Sequence, residues 1–326
     1  MNLIKNYSKK IKKTVEILEG TPYHLLDTNT PLLKAAFDIA YENRLFAFYK
    51  YDSQLQDSLK RKLFSKLTPI SGNLSFLAIQ ILAANSIMNK NNFAKKEYYA
   101  KKKCGIAINH LRANKTIVEA TQTEDGYKLN GTLTWASGYK IFDHLLIGFH
   151  FNNKEYEVMA RFQKAQGFTI LEAPETFVGF GLNTVNIKLD NFFVEKANVV
   201  SSNDIGNYTR NKSLSKTVHY ALYGLGLGAV DAIEDERLKK ESLKRLKKIK
   251  KAFNNSTCGE ELDQLRIKLF ITVQGMITTG MVLNGGKSIL IEKRLQQYYR
   301  ELIMFNSNGL NSTIKGLFLE DYLKKS

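Results

Sequence analysis

Residues 126–138 read Gly126-Tyr-Lys-Leu-Asn-Gly-Thr-Leu-Thr-Trp-Ala-Ser-Gly138. Tyr127, Lys128 and Leu129 alternate apolar and polar, as a half-buried strand requires. They stand between Asp125-Gly126 and Asn130-Gly131, dipeptides that accept the positive φ of tight hairpin turns. Ser137-Gly138 and Asn152-Asn153 mark two further turns. Outward from this stretch the same texture runs from Gly105 to about Val200. An apolar strand is expected over 145–151, and residues 184–193 (TVNIKLDNFF) keep period two. The polar segment 201–212 reads as a loop joining domains.

On both sides of this region the spacing becomes helical. Toward the N-terminus, Pro31 fits the first position of a helix capped by Thr30, with Leu33, Phe37, Ala40 and Tyr41 along one face. Further helices are expected over 54–67, 74–89 and 94–102. The second of these is apolar nearly all round and should be buried. Toward the C-terminus, helices are expected over 213–232, 236–253, 260–283, 289–305 and 312–323. Gly224, Gly226 and Gly228 fall inside the first of them. Each costs roughly 1 kcal/mol against alanine in a helix, so another backbone should pack close there. The order is therefore helices, strands, helices: an α+β chain with boundaries near 103 and 205.

The 326 residues carry a formal charge of +17, with a pI of about 9.6. Most of the excess is scattered lysine. The exception is 237–251, where Lys and Arg recur at helical spacing around Leu243, Leu246 and Ile249, giving one strongly basic face. A solvated face is the plain meaning, and a nucleic-acid partner is not expected. No apolar run reaches the length of a membrane span, and the basic start lacks the apolar core of a secretory signal. Cys104 and Cys258 form neither a metal motif nor a disulfide framework. A cytoplasmic protein is the expectation.

The stretch 126–138, with its strand, Asn-Gly step and Trp two residues before a Ser, resembles the middle domain of acyl-CoA dehydrogenases. Gly105-Ile-Ala-Ile-Asn-His110 is similar to the strand that faces the flavin in that family. Residues 184–200 resemble its last strands. Asn284-Gly285-Gly286, followed at Arg300-Glu301, matches its Gly-Gly and Arg-Asp pair without a gap. The resemblance covers the chain from about Gly72. It implies an N-terminal helical domain (1–103), a middle β-barrel-like domain (104–205) and a C-terminal helical bundle (206–326). It also implies a flavin, FAD or FMN, with Trp135 walling the isoalloxazine. Ser137, Asn109 and the backbone of Ile108 would meet the ring's polar edge. His110 stands where the family often has Glu or His, and Gly285 and Gly286 fall in the cofactor-binding Gly-Gly motif. An acyl-CoA or other acyl-thioester ligand and a homo-oligomer are implied as well. The helix of Gly224, Gly226 and Gly228 and the apolar helix from Phe270 to Leu283 offer close-packing surfaces for it.

The sequence departs from the family at the chemistry. Its base, a Glu nine residues after the Arg of the pair, falls at Gly309, beside Ser307, Asn308 and Leu310. The nearest alternatives are Glu301, Glu234 and Asp235. The Arg-Phe-Gly that holds the FAD pyrophosphate is replaced by the lysine-rich 247–257, whose ammonium groups can hold phosphate only as point charges. Val282 replaces a Gln before the Gly-Gly pair. Three functions remain open: an acyl-CoA dehydrogenase-like flavoprotein that is not an ordinary α,β-dehydrogenase, a flavin monooxygenase on the same scaffold, and a non-catalytic binding or assembly protein. His24, His144, His150 and His219 read as structural.

Overall fold

The computed structural model describes residues 2–113, 117–210, 214–307 and 312–324. The chain forms two compact units. A helical unit comprises Met1–Phe76, Phe177–Gly181 and Lys212–Ser326, and a β unit comprises Leu77–Thr176 and Leu182–Asn211.

The helical unit opens with α1 (Asn2–Leu18), α2 (Tyr23–Thr28), α3 (Thr30–Glu42) and α4 (Ser53–Leu67), followed by the first residues of α5 (Gly72–Lys90). The expected cap of α3 moves by one residue. Asn29 is the N-cap, and its side-chain oxygen accepts from the Leu32 amide at 2.9 Å, which puts Thr30 and Pro31 in the first turn. α5 runs on into the β unit, where Leu77, Ala78, Ile81 and Ala84 are buried. The helix expected over 94–102 shrinks to the single turn α6 (Lys96–Tyr99).

In the β unit, eight strands form one mixed sheet: β1 (Cys104–Ala107), β2 (Val118–Gln122), β3 (Gly126–Ala136), β4 (His144–Phe151), β5 (Lys154–Arg161), β6 (Phe168–Ile170), β7 (Val185–Glu195) and β8 (Val199–Asp204). Their order is β6-β7-β3-β2-β4-β5-β8, with β1 parallel to β4. Asn152 and Asn153, at φ 47° and 58°, close the β4–β5 hairpin as their type demands. Asn130-Gly131 does not make a turn. β3 runs straight through it, and the register against β7 slips there, with Gly131 at φ 138° and only 1.9 Å between a would-be Cβ and the Ile117 carbonyl oxygen. A bulge needs the same permissive backbone as a turn. Part of the expected joining loop is likewise strand, since β8 pairs with β5 from Lys154↔Asp204 onward. Met88, Phe93, Tyr99, Cys104, Leu146 and Met159 form a core cluster beneath the sheet. A short α7 (Asn207–Arg210) ends the unit.

The chain then returns to helices: α8 (Thr217–Ala232), α9 (Glu236–Asn255), α10 (Gly259–Asn284), α11 (Arg294–Ser307) and α12 (Ser312–Leu323). The close approach expected at the glycines of α8 lies within the chain. A Cβ on Gly224 would sit 2.1 Å from the Phe64 carbonyl oxygen of α4, and one on Gly228 would sit 2.4 Å from the Tyr298 hydroxyl. α8 is buried on nearly every side, so its glycines offer no surface to another subunit. The basic α9 buries Ser242, Leu246, Ile249 and Phe253 and turns most of its lysines outward. Its N-cap is Asp235, which accepts from the Leu238 amide at 2.7 Å. The helix expected from 289 begins only at Arg294, because α10 ends at Gly285 (φ 67°) and a 3-10 turn, Gly285–Ile289, follows. Against the expectation of no membrane span, α10 with that turn (Gly259–Ile289) is long and apolar enough to cross a membrane. That test is equally met by the core helices of bundles, and Leu269, Phe270, Val273, Met276 and Ile277 of α10 are buried in this one.

Candidate functional site

The end of β3 is shaped by a second bulge. Leu133 pairs with Ile187 and Ala136 with Val185, so Thr134 and Trp135 together face the single residue Asn186. The extra residue re-aims the strand. Trp135 adopts φ 60°, a left-handed conformation that bulky residues rarely take. Its amide donates to the Asn186 side-chain oxygen at 3.2 Å, and its indole is 57% exposed. The strand thus holds its only tryptophan outward on a constrained backbone. Two residues on, Ser137 is buried and shares a hydrogen bond with the Thr184 hydroxyl at 2.8 Å. Gly138 (φ 91°) donates to the Leu182 carbonyl at 2.7 Å.

The end of β1 adjoins this edge through Phe142. A Cβ on Gly105 would lie 2.6 Å from that ring and one on Gly138 would lie 2.2 Å from it, so both glycines exist to admit it. β1 leads into a 3-10 turn, Asn109–Arg112. The Ile108 side chain is buried in the core cluster, and its carbonyl accepts from the Leu111 amide at 3.0 Å. Asn109 is exposed. His110 Nε2 donates to the Gly148 carbonyl at 2.9 Å, tying the turn to β4. Burial, opposed by that bond and reinforced by His150, lowers the His110 pKa, so the ring is neutral near pH 7. From sequence His110 suits a ligand contact or a loop contact equally, and its ring makes a contact within the fold.

Gly285 and Gly286 lie in the helical unit, exposed and with open space where a Cβ would be. Beside them in sequence, Val282, Leu283, Ile289, Leu290 and Ile291 are exposed apolar side chains. Gly309 lies outside the described residues. Each alternative base has at least one carboxylate oxygen engaged. Glu301 is fully buried; its Oε1 accepts from the Gly72 amide at 2.8 Å and from Gln297 Nε2 at 3.1 Å. Burial pushes its pKa up to about 7, with Asp27 adding to the rise and Arg294, Gly72 and Gln297 opposing it. Asp235 caps α9. Glu234 pairs with Lys287 at 3.2 Å on the rim of a cleft of about 500 Å³.

A second buried carboxylate, Asp27, was missed from sequence. It accepts from the Gly179 amide at 2.6 Å and Asn73 Nδ2 at 2.9 Å, and it pairs with Arg300 at 2.6 Å. Arg300 also donates to the Phe177 carbonyl. The Arg300-Glu301 pair therefore works as two clamps: Arg300 on residues 177–179 through Asp27, and Glu301 on the start of α5. Of the other histidines, His219 Nε2 donates to the Leu262 carbonyl at 2.8 Å, and burial brings its pKa down to about 4. Cys104 is buried with its thiol pushed up to about 12, mainly by burial, and is unreactive.

No family model matches the chain, and no curated protein matches it in sequence. Solved structures do. Glutaryl-coenzyme A dehydrogenase in complex with glutaryl-CoA superposes with a TM-score of 0.80 at 15% identity, covering 98% of this chain and 95% of that one. KijD3 in complex with FMN and dTDP-3-amino-2,3,6-trideoxy-4-keto-3-methyl-D-glucose gives 0.77 at 13%, covering 100% and 95%. XiaF from Streptomyces sp., in complex with FADH2 and glycerol, gives 0.71 at 11%, covering 99% and 96%. The chain has the acyl-CoA dehydrogenase fold, with helices, a central mixed sheet and a helical bundle in that order.

Proposed function

We propose that this protein is a flavin-dependent oxidoreductase whose reaction does not begin with removal of an α-proton from an acyl thioester. The flavin part rests on Trp135. A bulky aromatic held at positive φ on a bulge and left mostly exposed is strained and solvated at once. Such outliers persist where a ligand uses them. An isoalloxazine, flat and apolar on its faces, would cover the indole. The Ile108 backbone, Asn109 and Ser137 would offer hydrogen bonds to its polar edge. When bound, the flavin supplies hydride or electron transfer; the chain supplies position and exclusion of water. The three similar structures named above were solved with FMN, FADH2 or an acyl-CoA, which supports a flavin of either kind and leaves an acyl thioester as one ligand class.

The reaction part rests on the carboxylates. Glu301 is fully buried with one oxygen held by Gly72, Asp235 caps a helix, Glu234 pairs with Lys287, and position 309 is glycine. A missing general base costs about 10²–10⁴-fold in rate. A monooxygenase that uses reduced flavin and oxygen has no need of that base, and this favours it over a dehydrogenase with a relocated one.

The test uses the lone tryptophan. Adding FAD or FMN, oxidised or reduced, should quench its fluorescence, and Trp135→Ala should weaken flavin binding. Dye reduction with short, medium and long saturated acyl-CoAs should be absent or very weak. Absence of quenching by every flavin form would favour a non-catalytic binding protein. Robust turnover of any acyl-CoA would overturn the reaction assignment.

A further inference from the structure

A cleft of about 670 Å³ lies wholly in the β unit, where α6 faces the ends of β5 and β7. It shares no residue with the Trp135 edge: Ile108, Asn109, His110, Trp135 and Ser137 are all outside its lining. Its volume is that of a site for a molecule of nucleotide size.

Its walls combine two chemistries. Tyr98 and Phe193 present exposed aromatic surface, 53% and 45% accessible. Soluble proteins seldom leave two such rings on one concave surface without a use. The charges are unevenly matched. Lys95 donates to the Asn198 side chain at 2.8 Å and lies 3.7 Å from Glu195, which neutralises that carboxylate. Arg161, at the end of β5, is exposed, and its guanidinium has no hydrogen bond or ion pair among the described residues. It is the surplus cation of the cleft. Paired with it across the ladder is His144, nine-tenths buried, with Nδ1 lacking a partner and its ring set edge-on to Tyr99 at 5.1 Å.

We propose that this cleft is a second binding site, for a planar aromatic molecule bearing an anionic group, whose anion meets Arg161 and whose ring lies against Phe193 and Tyr98. A guanidinium takes a phosphate or carboxylate through two parallel hydrogen bonds, which a lone ammonium cannot do. Aromatic rings add stacking, and the arginine itself can stack on a ring. A simple anion would use only the Arg161 end and a neutral ring only the aromatic end. The site therefore selects molecules that carry both.

The experiment is calorimetric titration of the full-length protein with four probes. Adenosine 5′-monophosphate and indole-3-acetate carry ring and anion, with phosphate or carboxylate respectively. Adenosine and inorganic phosphate carry one element each. At least one of the first pair should bind about tenfold or more tightly than either of the second pair, and which one binds identifies the anion. Arg161→Gln should weaken that binding about tenfold and Phe193→Ala several-fold. Both side chains are solvent-facing, so both variants should keep the wild-type thermal transition. Repeating the titration in Trp135→Ala protein separates this cleft from the flavin edge, and the affinity there should be unchanged. Failure of both ring-bearing anions to bind at millimolar concentration would overturn the proposal. So would binding that neither cleft variant alters, or that Trp135→Ala abolishes.

Discussion

Glu301 carries a buried carboxyl whose Oε2 has no hydrogen-bond partner among the described residues. Its folded pKa of about 7 lies above the ordinary 4.5. The folded state therefore holds a proton between these values that the unfolded chain releases. Stability from this group is full below pH 4.5 and is lost as pH rises to about 7. The upper bound of the loss is about 3–4 kcal/mol, at roughly 1.4 kcal/mol per unit. His219 works in the opposite sense. Its folded pKa of about 4 lies below the usual 6.5, so its contribution is gained as pH rises through that window. The two are separated by substitution. Glu301→Gln mimics the protonated acid and should match the wild type in urea unfolding at pH 4.5, yet exceed its stability at pH 8. Equal stabilities at both pH values would show that the carboxyl stays ionised. Breaking the other clamp should cost more. Asp27→Ala strands Arg300 beside the freed Gly179 amide, and a loss of about 3–5 kcal/mol is expected in the same assay. From sequence, Arg300-Glu301 could be matched to a family motif, but not what it grips. Gly72 is 229 residues away from Glu301 and Asp27 is farther still from Arg300, and no local pattern encodes such pairs.

At the scale of elements, the two bulges of the β3–β7 pair and the glycine face of α8 decide the geometry. Gly224→Ala drives a methyl to 2.1 Å from a backbone carbonyl of α4, which cannot retreat without moving the helix. Gly226→Ala meets methyls of Leu246 and Val273 at 3.0 Å, which can rotate. Thermal unfolding should show a large loss for the first, about 2 kcal/mol or more, and a small change of either sign for the second. Similar losses for the two would mean that α4 yields as easily as a side chain. The sequence made the need for a close neighbour at these glycines legible, through their cost in a helix. It did not say whether the neighbour belonged to the same chain. Asn130-Gly131 was misread for a related reason: turn and bulge draw on the same backbone freedom, and only the pairing of β3 with both β2 and β7 distinguishes them. Trp135 was singled out by the resemblance of 126–138 to a family pattern. Its left-handed backbone leaves no trace in composition, since no dipeptide rule places a tryptophan there.

For the whole molecule, the order of helices, strands and helices was readable because the change from period 3.6 to period two is abrupt at both borders. The assembly was not. Of the two surfaces expected for a homo-oligomer, the end of α10 stays open: Val282 and Leu283 there, with Ile289, Leu290 and Ile291 just beyond, are exposed apolar side chains. Light scattering at tens of micromolar should give a multiple of 37.1 kDa. Val282→Asp together with Ile289→Asp should return the monomer mass without loss of helicity by circular dichroism. A wild-type monomer would leave that patch to another partner.

The seam between α4 and α8 also has a history in time. α4 ends at Leu67 and α8 begins at Thr217, so the ribosome makes about 150 residues after one face of the seam before it makes the other. At roughly 5–20 residues per second this delay is about 8–30 s. Throughout it Leu63, Phe64 and Leu67, buried in the finished protein, have no α8 to cover them. The nascent chain should therefore spend its synthesis as a client of holding chaperones, and a stall anywhere before α8 should leave a fragment that aggregates through α4.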